Sequence, residues 1–380
     1  NFDQLKSGAL SKIGLGNKAQ NVGVSKGLAY QADDLESLES MIGESGASVD
    51  LGNSFSNALK ASVNLDPKII ASRQNIEAKK ASLKSIKAMK EFQISGSIYG
   101  GIEDVSDETS GLALVLDASR LMYDAGIGDA QIASEQHLLD AAIYDLQAQQ
   151  ELSAYNSAKA WVELERYRLL KKLIDDRLQV LNPLITQLEK VVEAGVGDVS
   201  SVAAAQRTVS TIRVAQTDVF GGLERAKLSF INIYGALPSD LEFDSQFVSR
   251  LMPKEISDNM VRQAPALLAK YSNYKSAEAS LAMATLQGEF NVGLQARVSR
   301  PFGGSEHDSD ESIGLVARKT LSNGGIFESD IEKAEALVSA SEATLKATYR
   351  EGERTVQIAL RTISRLNDAI SLAKANAKVT

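Results

Sequence analysis

Phe92-Gln-Ile-Ser-Gly-Ser-Ile-Tyr-Gly100 decides how this chain is read. Apolar and polar residues alternate along it, which is the period of a β-strand. Phe92, Ile94 and Ile98 point one way, while Gln93, Ser95, Ser97 and Tyr99 point the other. A returning segment sets Leu112, Leu114, Leu116 and Ala118 against Ala113, Val115, Asp117 and Ser119. The pattern recurs downstream, with Phe290, Val292, Leu294, Ala296 and Val298 opposed to Asn291, Gly293, Gln295, Arg297 and Ser299. Its partner sets Ile313, Leu315 and Ala317 against Gly314, Val316 and Arg318. Strands of about nine to ten residues are long enough to cross a bilayer at a tilt. A half-buried soluble sheet shows the same alternation.

Working outward, the recurrence belongs to a duplication. With Pro67 aligned to Pro265, Ala71, Asn75, Ala81, Ser82, Leu83, Glu91 and Phe92 coincide with Ala269, Asn273, Ala279, Ser280, Leu281, Glu289 and Phe290, all at a spacing of 198. Gly126-Ile127 and Ile132 then align with Gly325-Ile326 and Ile331 at a spacing of 199. Each copy reads as helix, strand, loop, strand, long helix. The opening helix of the first copy starts at Pro67 with Asp66 as its cap.

After each hairpin comes a long helix. Between Ile127 and Glu193 the only glycine is Gly128 and the only proline is Pro183. At 1.5 Å per residue such a helix spans ~100 Å, and Pro183 is expected to kink it. Ala194-Gly-Val-Gly197 ends it, and Asp198 or Ser200 caps a return helix. That helix carries a heptad seam. Val202, Val209, Gln216, Leu223 and Phe230 fall at one position, and Ala205, Ile212, Val219, Ala226 and Ile233 fall three residues later. The outbound helix is alanine-rich (Ala141, Ala142, Ala148, Ala154, Ala158, Ala160), so helices can approach it closely on more than one side.

The domain boundaries follow. Residues 1–54 form an N-terminal extension. Repeat 1 covers 55–235, with a hairpin over 92–120 and helices over 127–193 and 198–235. Residues 236–257 connect to repeat 2 at 258–380, with a hairpin over 290–319 and a helix from 326 to 380. By comparison with repeat 1, about 54 residues of return helix are expected beyond Thr380.

Composition narrows the function classes. The chain of 380 residues has no cysteine, so disulfides, thiolate metal sites and thiol nucleophiles are excluded. His137 and His307 are the only histidines, too few for a three-histidine metal site. Net charge is −8, which disfavours nucleic-acid binding. The loops Gly101–Gly111 and Gly304–Ser312 hold Glu103, Asp104, Asp107, Glu108, Glu306, Asp308, Asp310 and Glu311 without a Lys or Arg; the rest of the chain is balanced. The loops read as solvated tips, with cation contact as the sharper alternative. No phosphate-cradling GxxxxGK[ST] sequence occurs, so any transport energy must come from a partner. No enzyme activity, cofactor or metal is expected.

Four strands with an apolar face cannot close a barrel alone, and strand edges in a membrane must be paired. Helices ~100 Å long project away from the sheet and do not cover it. Closure by symmetry is the economical solution, and three copies give about twelve strands.

In the order and spacing of these elements the chain resembles the TolC family of outer membrane channel proteins over residues 55–380. The carriers are Ala58-Leu59 followed by Asp66-Pro67, the glycines Gly126 and Gly325 where strand turns into helix, and Gly195-Val196-Gly197-Asp198-Val199-Ser200-Ser201-Val202 at the helix turn. The resemblance implies an α+β membrane protein. Its trimeric 12-stranded β-barrel, four strands per chain, stands on a long antiparallel α-helical coiled-coil barrel built from two structural repeats. It implies a homotrimer in the outer membrane of a Gram-negative bacterium, extending into the periplasm. It also implies work with a periplasmic adaptor protein and an inner-membrane transporter, and export of proteins or small molecules.

Gly195, Val196, Gly197, Asp198, Ser200, Ser201 and Val202 would then be the tip that docks the adaptor. Many relatives carry an acidic residue where this chain has Ser201. Gln93, Ser95, Ser97, Tyr99, Asp117, Gln295, Arg297 and Arg318 would line a water-filled lumen. Phe92, Ile94, Leu114, Leu116, Val292, Leu294 and Leu315 would face lipid. Gate residues would follow Thr380. The absence of a lipid-modified cysteine favours type I protein secretion over small-molecule efflux. The alternative of a different class is a soluble coiled-coil scaffold.

Overall fold

A computed structural model describes residues 55–104, 109–238, 259–302 and 309–379. The chain order is α1 (Phe55–Leu65), α2 (Pro67–Ala88), β1 (Gln93–Asp104), β2 (Thr109–Tyr123), α3 (Ile127–Glu193), α4 (Val199–Tyr234), α5 (Asn259–Arg262), α6 (Pro265–Leu286), β3 (Asn291–Phe302), β4 (Asp310–Arg318) and α7 (Ile326–Val379). The N-terminal extension, most of the connector, residues 105–108, residues 303–308 and Thr380 lie outside the described residues.

Local chemistry sets the element limits. Asp66 caps α2 by accepting from the Lys68 N–H at 2.9 Å, and Pro67 fills the first helical position. The same carboxylate accepts from the Ser153 hydroxyl at 2.6 Å, which ties α2 to α3. The 67-residue α3 runs unbroken through Pro183, so the proline expected to kink it does not end it. At its far end Gly195 adopts φ +76°. The Gly195 N–H reaches Val192 O at 2.9 Å and the Val196 N–H reaches Val191 O at 3.2 Å. These two bonds make a Schellman stop.

The helices pack along the expected seam. All ten heptad positions of α4, Val202 to Ile233, are buried or half-buried. Its one polar member, Gln216, donates to Asp175 on α3 at 3.0 Å. One core joins α1, α3 and α4 through Phe55, Ala58, Trp161, Leu164, Leu223, Ala226, Phe230 and Tyr234. Phe230 and Tyr234 stack with ring centres 4.4 Å apart, and Trp161 meets Tyr234 edge-on at 5.6 Å. The Tyr234 hydroxyl donates to Ser157 O at 3.0 Å, and burial pushes its pKa up to about 12. A second core holds Ile76, Leu83, Leu139 and Ala142 between α2 and α3. Ser134 on α3 hydrogen-bonds Ser276 and Ser280 on α6 at 2.9 and 3.0 Å, where small residues allow close approach.

The sheet is antiparallel in the order β1-β2-β3-β4. Three strands exceed the expected length. Glu103 and Asp104 belong to β1, and Asp310 and Glu311 to β4, rather than to the loops. β2 passes its expected end at Arg120 and continues to Tyr123 through an irregularity between Leu121 and Tyr123.

At the strand-to-helix junctions the two repeats match in backbone and trade side-chain volume. Ala125 and Gly126 have φ +57° and +97°; their counterparts Gly324 and Gly325 have +70° and +91°. In repeat 1 the large residue is Lys90, which pairs with Asp129, and its Cε lies 2.8 Å from where a Cβ on Gly128 would stand. In repeat 2 the positions corresponding to Lys90 and Gly128 are Gly288 and Phe327. The Phe327 ring lies 3.4 Å from a Cβ built on Gly288. Large-against-small has become small-against-large at one joint.

Candidate functional site

The register shows which side chains share a face, because directly paired residues point the same way. Ile94 pairs with Ala118, Gly96 with Leu116 and Ile98 with Leu114. Ala118 pairs with Ala296, Leu116 with Val298, and Leu294 with Leu315. Val292, beside Ala317, belongs to the same face, and Phe92 leads into it just before β1. This face stands open: Ile94 and Ile313 are each 76 % exposed and Leu315 is 69 % exposed. On the other face Gln93 pairs with Ser119, Ser95 with Asp117, Ser97 with Val115 and Tyr99 with Ala113. Asp117 pairs with Arg297, Ser119 with Gln295 and Asn291 with Arg318. The sheet is therefore two-faced across all four strands, and β1 and β4 each keep one edge without a strand partner among the described residues.

Charge is distributed unevenly over the two faces. On the polar face Arg297 Nε donates to Asp117 Oδ1 at 2.9 Å, a bond that joins the two repeats across β2 and β3. The apolar face is bounded by charge at both ends. Arg120 lies over the Phe92 ring, 5.2 Å from its centre, and donates to Lys90 O at 3.3 Å. Arg300, beside Leu114, pairs with Glu311.

The helical tip is the other candidate site. Asp198 caps α4, accepting from the Ser200 N–H at 2.9 Å; this bond and the Ser200 hydroxyl hold its carboxyl below the usual carboxylate range. Val196 and Val199 are 83 % and 68 % exposed, although they are apolar. Gly197 sits against Val192, whose Cγ2 is 2.8 Å from an added Cβ.

An apolar stripe also runs along α3. Leu152, Tyr155, Val162, Leu169, Leu173, Val180, Leu184, Leu188 and Val191 are all exposed. At about 100° per residue they fall within a single arc about 100° wide. No other described helix lies over it.

Among the described residues no group of three His, Asp or Glu is placed to hold a metal ion. His137 lies on α3 with Nδ1 3.9 Å from Asp140; His307 lies outside the described residues. No described helix is long and apolar enough to cross a membrane.

Comparison with solved structures decides the fold. CusC, studied for transmembrane channel formation, matches at TM-score 0.72 and 17 % identity, over 85 % of this chain and 79 % of its own. The outer membrane protein VceC of Vibrio cholerae matches at TM-score 0.65 and 17 % identity, over 78 % and 75 %. The MtrE outer membrane channel of Neisseria gonorrhoeae, in its open state, matches at 0.63 and 14 %, over 82 % and 73 %. No protein-family model and no curated protein sequence matches the chain. The fold is that of the TolC-family outer membrane channels.

Within the TolC-family fold, sequence reasoning missed the side-chain contacts that need a register. The Asp117–Arg297 bond joins residues 180 apart, and alternation alone does not say which rows meet. Arg300 and Glu311 escaped for the same reason: each breaks the apolar alternation of its own strand, and only the pairing shows that they neutralise each other. The Phe92–Arg120 contact had a visible signal, an aromatic residue and a cation at the two strand ends nearest the helices.

Proposed function

We propose that three copies of this chain close a twelve-stranded barrel in the outer membrane of a Gram-negative bacterium, and that their helices continue it as a periplasmic conduit. The observation that carries this reading is the two-faced sheet. A long helix holds it at its end, one face is open and apolar, and its outer edges have no strand partner among the described residues. Water penalises such a surface; lipid on one face and a water-filled lumen on the other satisfy it. In this arrangement Phe92, Ile94, Leu114, Leu116, Val292, Leu294 and Leu315 face lipid. Gln93, Ser95, Ser97, Tyr99, Asp117, Gln295, Arg297 and Arg318 face the lumen. The exposed stripe on α3 supports the homotrimer, because a neighbouring copy would cover it as a coiled-coil seam.

The chain acts as a passive duct and carries out no catalysis. Gly195, Val196, Gly197, Asp198, Ser200, Ser201 and Val202 form the tip that docks a periplasmic adaptor. The adaptor joins the duct to an inner-membrane transporter that supplies the energy. Val196 and Val199, held outward by the Schellman turn and the Asp198 cap, supply the apolar contact. For cargo we favour small-molecule efflux over type I secretion. The case for secretion rested on a missing cysteine, and the solved channels that share the fold add nothing to it.

The test is reconstitution. Detergent-extracted protein should migrate as a trimer until heated and conduct ions in a planar bilayer. A detergent-free monomer without conductance contradicts the reading. Cross-linking in cells with intact adaptor assigns the cargo class: a drug-type transporter supports efflux, and an ATP-driven protein exporter reverses that choice.

A further inference from the structure

The polar face carries few charges, and they are segregated along the strands. Asp117 and Arg297 neutralise each other at mid-strand. Arg318 ends β4 on the helix side, opposite Asn291, exposed and without a hydrogen-bond or ion-pair partner among the described residues. Asp310 begins β4 at the far end, opposite Ser299, equally unpartnered. One strand thus presents an unpaired cation at one mouth and an unpaired anion at the other.

Closing the barrel sets no acidic residue directly opposite Arg318. In a ring of about twelve strands at a 35–45° tilt, with a 3.3 Å rise and 4.8 Å spacing, the total stagger is about 12 to 18 residues. Three-fold symmetry and matched faces require a multiple of six, so each copy contributes about four or six residues. These two choices place Arg318 beside Gln93 or Ser95 of the next copy. The opposite stagger would carry β4 past the start of β1. Both neighbours are neutral, and the nearest acidic residue of that copy, Glu91, precedes the strand.

We propose that Arg318 forms a three-fold guanidinium ring at the helix-side mouth of the barrel and makes that mouth favour anionic solutes over cationic ones. The inference rests on the proposed channel. Rings of fixed charge set ion preference in pores, and a constriction walled by protein focuses their field. Asp310 acts in the opposite sense at the far mouth, so a cation is met first by cargo arriving from the helices.

The natural chain lacks cysteine, so a single introduced thiol can be charged at will. Arg318→Cys protein is inserted in a planar bilayer under a potassium chloride gradient, then treated with a cationic or an anionic thiol reagent. The cationic adduct should keep the reversal potential of the natural protein. The anionic adduct should shift it toward the potassium potential, and Asp310→Asn should shift it the other way. Arg318→Lys, which keeps the charge, should match the natural protein and serves if the cysteine variant fails to insert, with Arg318→Gln as its neutral counterpart. Conducting channels with equal reversal potentials for both adducts, or for Lys and Gln, overturn the ring. Absence of conductance in the natural protein overturns the channel itself.

Discussion

Replacing Leu116 by arginine tests the two-faced sheet at one residue. Leu116 lies on β2 between Gly96 and Val298, 46 % exposed, with Cδ2 3.3 Å from where a Cβ on Gly96 would stand. On its own face Glu311 ends the same row, beyond Val298, where it pairs with Arg300 of the next row, and Arg120 lies four residues toward the helices. Directly beside it Leu116 meets only Gly96 and Val298, so an added arginine has an apolar neighbour on either side. An arginine near the midplane of a membrane barrel costs ~2–4 kcal/mol, a factor of roughly 30 to 1,000 in the folded population. The control is one residue away. Val115 pairs with Ser97 and Ser299 on the polar face, where arginine should cost under about 1 kcal/mol. The assay is urea unfolding in lipid vesicles, with trimer yield in the outer membrane fraction alongside. Equal losses at the two positions, or a greater loss at Val115, would refute the face assignment.

Other substitutions test the helices and joints. Ala125 holds φ +57° where its repeat counterpart is glycine, so Ala125→Gly should stabilise by up to ~1 kcal/mol, and Gly126→Ala at φ +97° should cost ~1–2 kcal/mol, read by thermal unfolding. Gly222→Ala would put a Cβ 2.1 Å from Tyr167 Cε1, whereas Gly221→Ala meets only Arg225 at 3.7 Å. The first should therefore destabilise by ~1–3 kcal/mol and the second should gain a few tenths in the same assay. Tyr234 is protonated in the fold up to about pH 12 but ionises near 10 when unfolded. Stability should fall as pH rises from 10 to about 12, by at most ~1.4 kcal/mol per pH unit, and Tyr234→Phe should remove that slope while costing ~0.5–1.5 kcal/mol at neutral pH.

Features with a period or a hard stop were legible in the sequence. The alternation from Phe92 is the sheet, the heptads from Val202 are the buried side of α4, and Gly126 and Gly195 bound α3. Pro183, expected inside the helix, is found there, since a long helix survives the loss of one backbone donor. The ends of β2 and β4 misled because Arg120 and Glu311 look like loop residues; the first is held by Phe92 and Lys90 O, the second by Arg300. The exchange of Lys90 and Gly128 for Gly288 and Phe327 needed the structure as well as the repeat, since neither pair is adjacent in sequence. The candidate faces could be sorted by parity. Their rows, and so the unpaired state of Arg318, could not.

Closure of the sheet by sister copies is the claim on which the rest depends, and disulfide cross-linking reads it directly. With no native cysteine, any new link comes from the introduced pair. The two allowed staggers set Ser97 of one copy beside Gly314 or Val316 of the next. Oxidation of membranes carrying Ser97→Cys with Gly314→Cys, or Ser97→Cys with Val316→Cys, should give for one of the pairs a ladder that stops at three chains. A ladder that runs past three, or monomers alone from both pairs, would contradict the closed barrel.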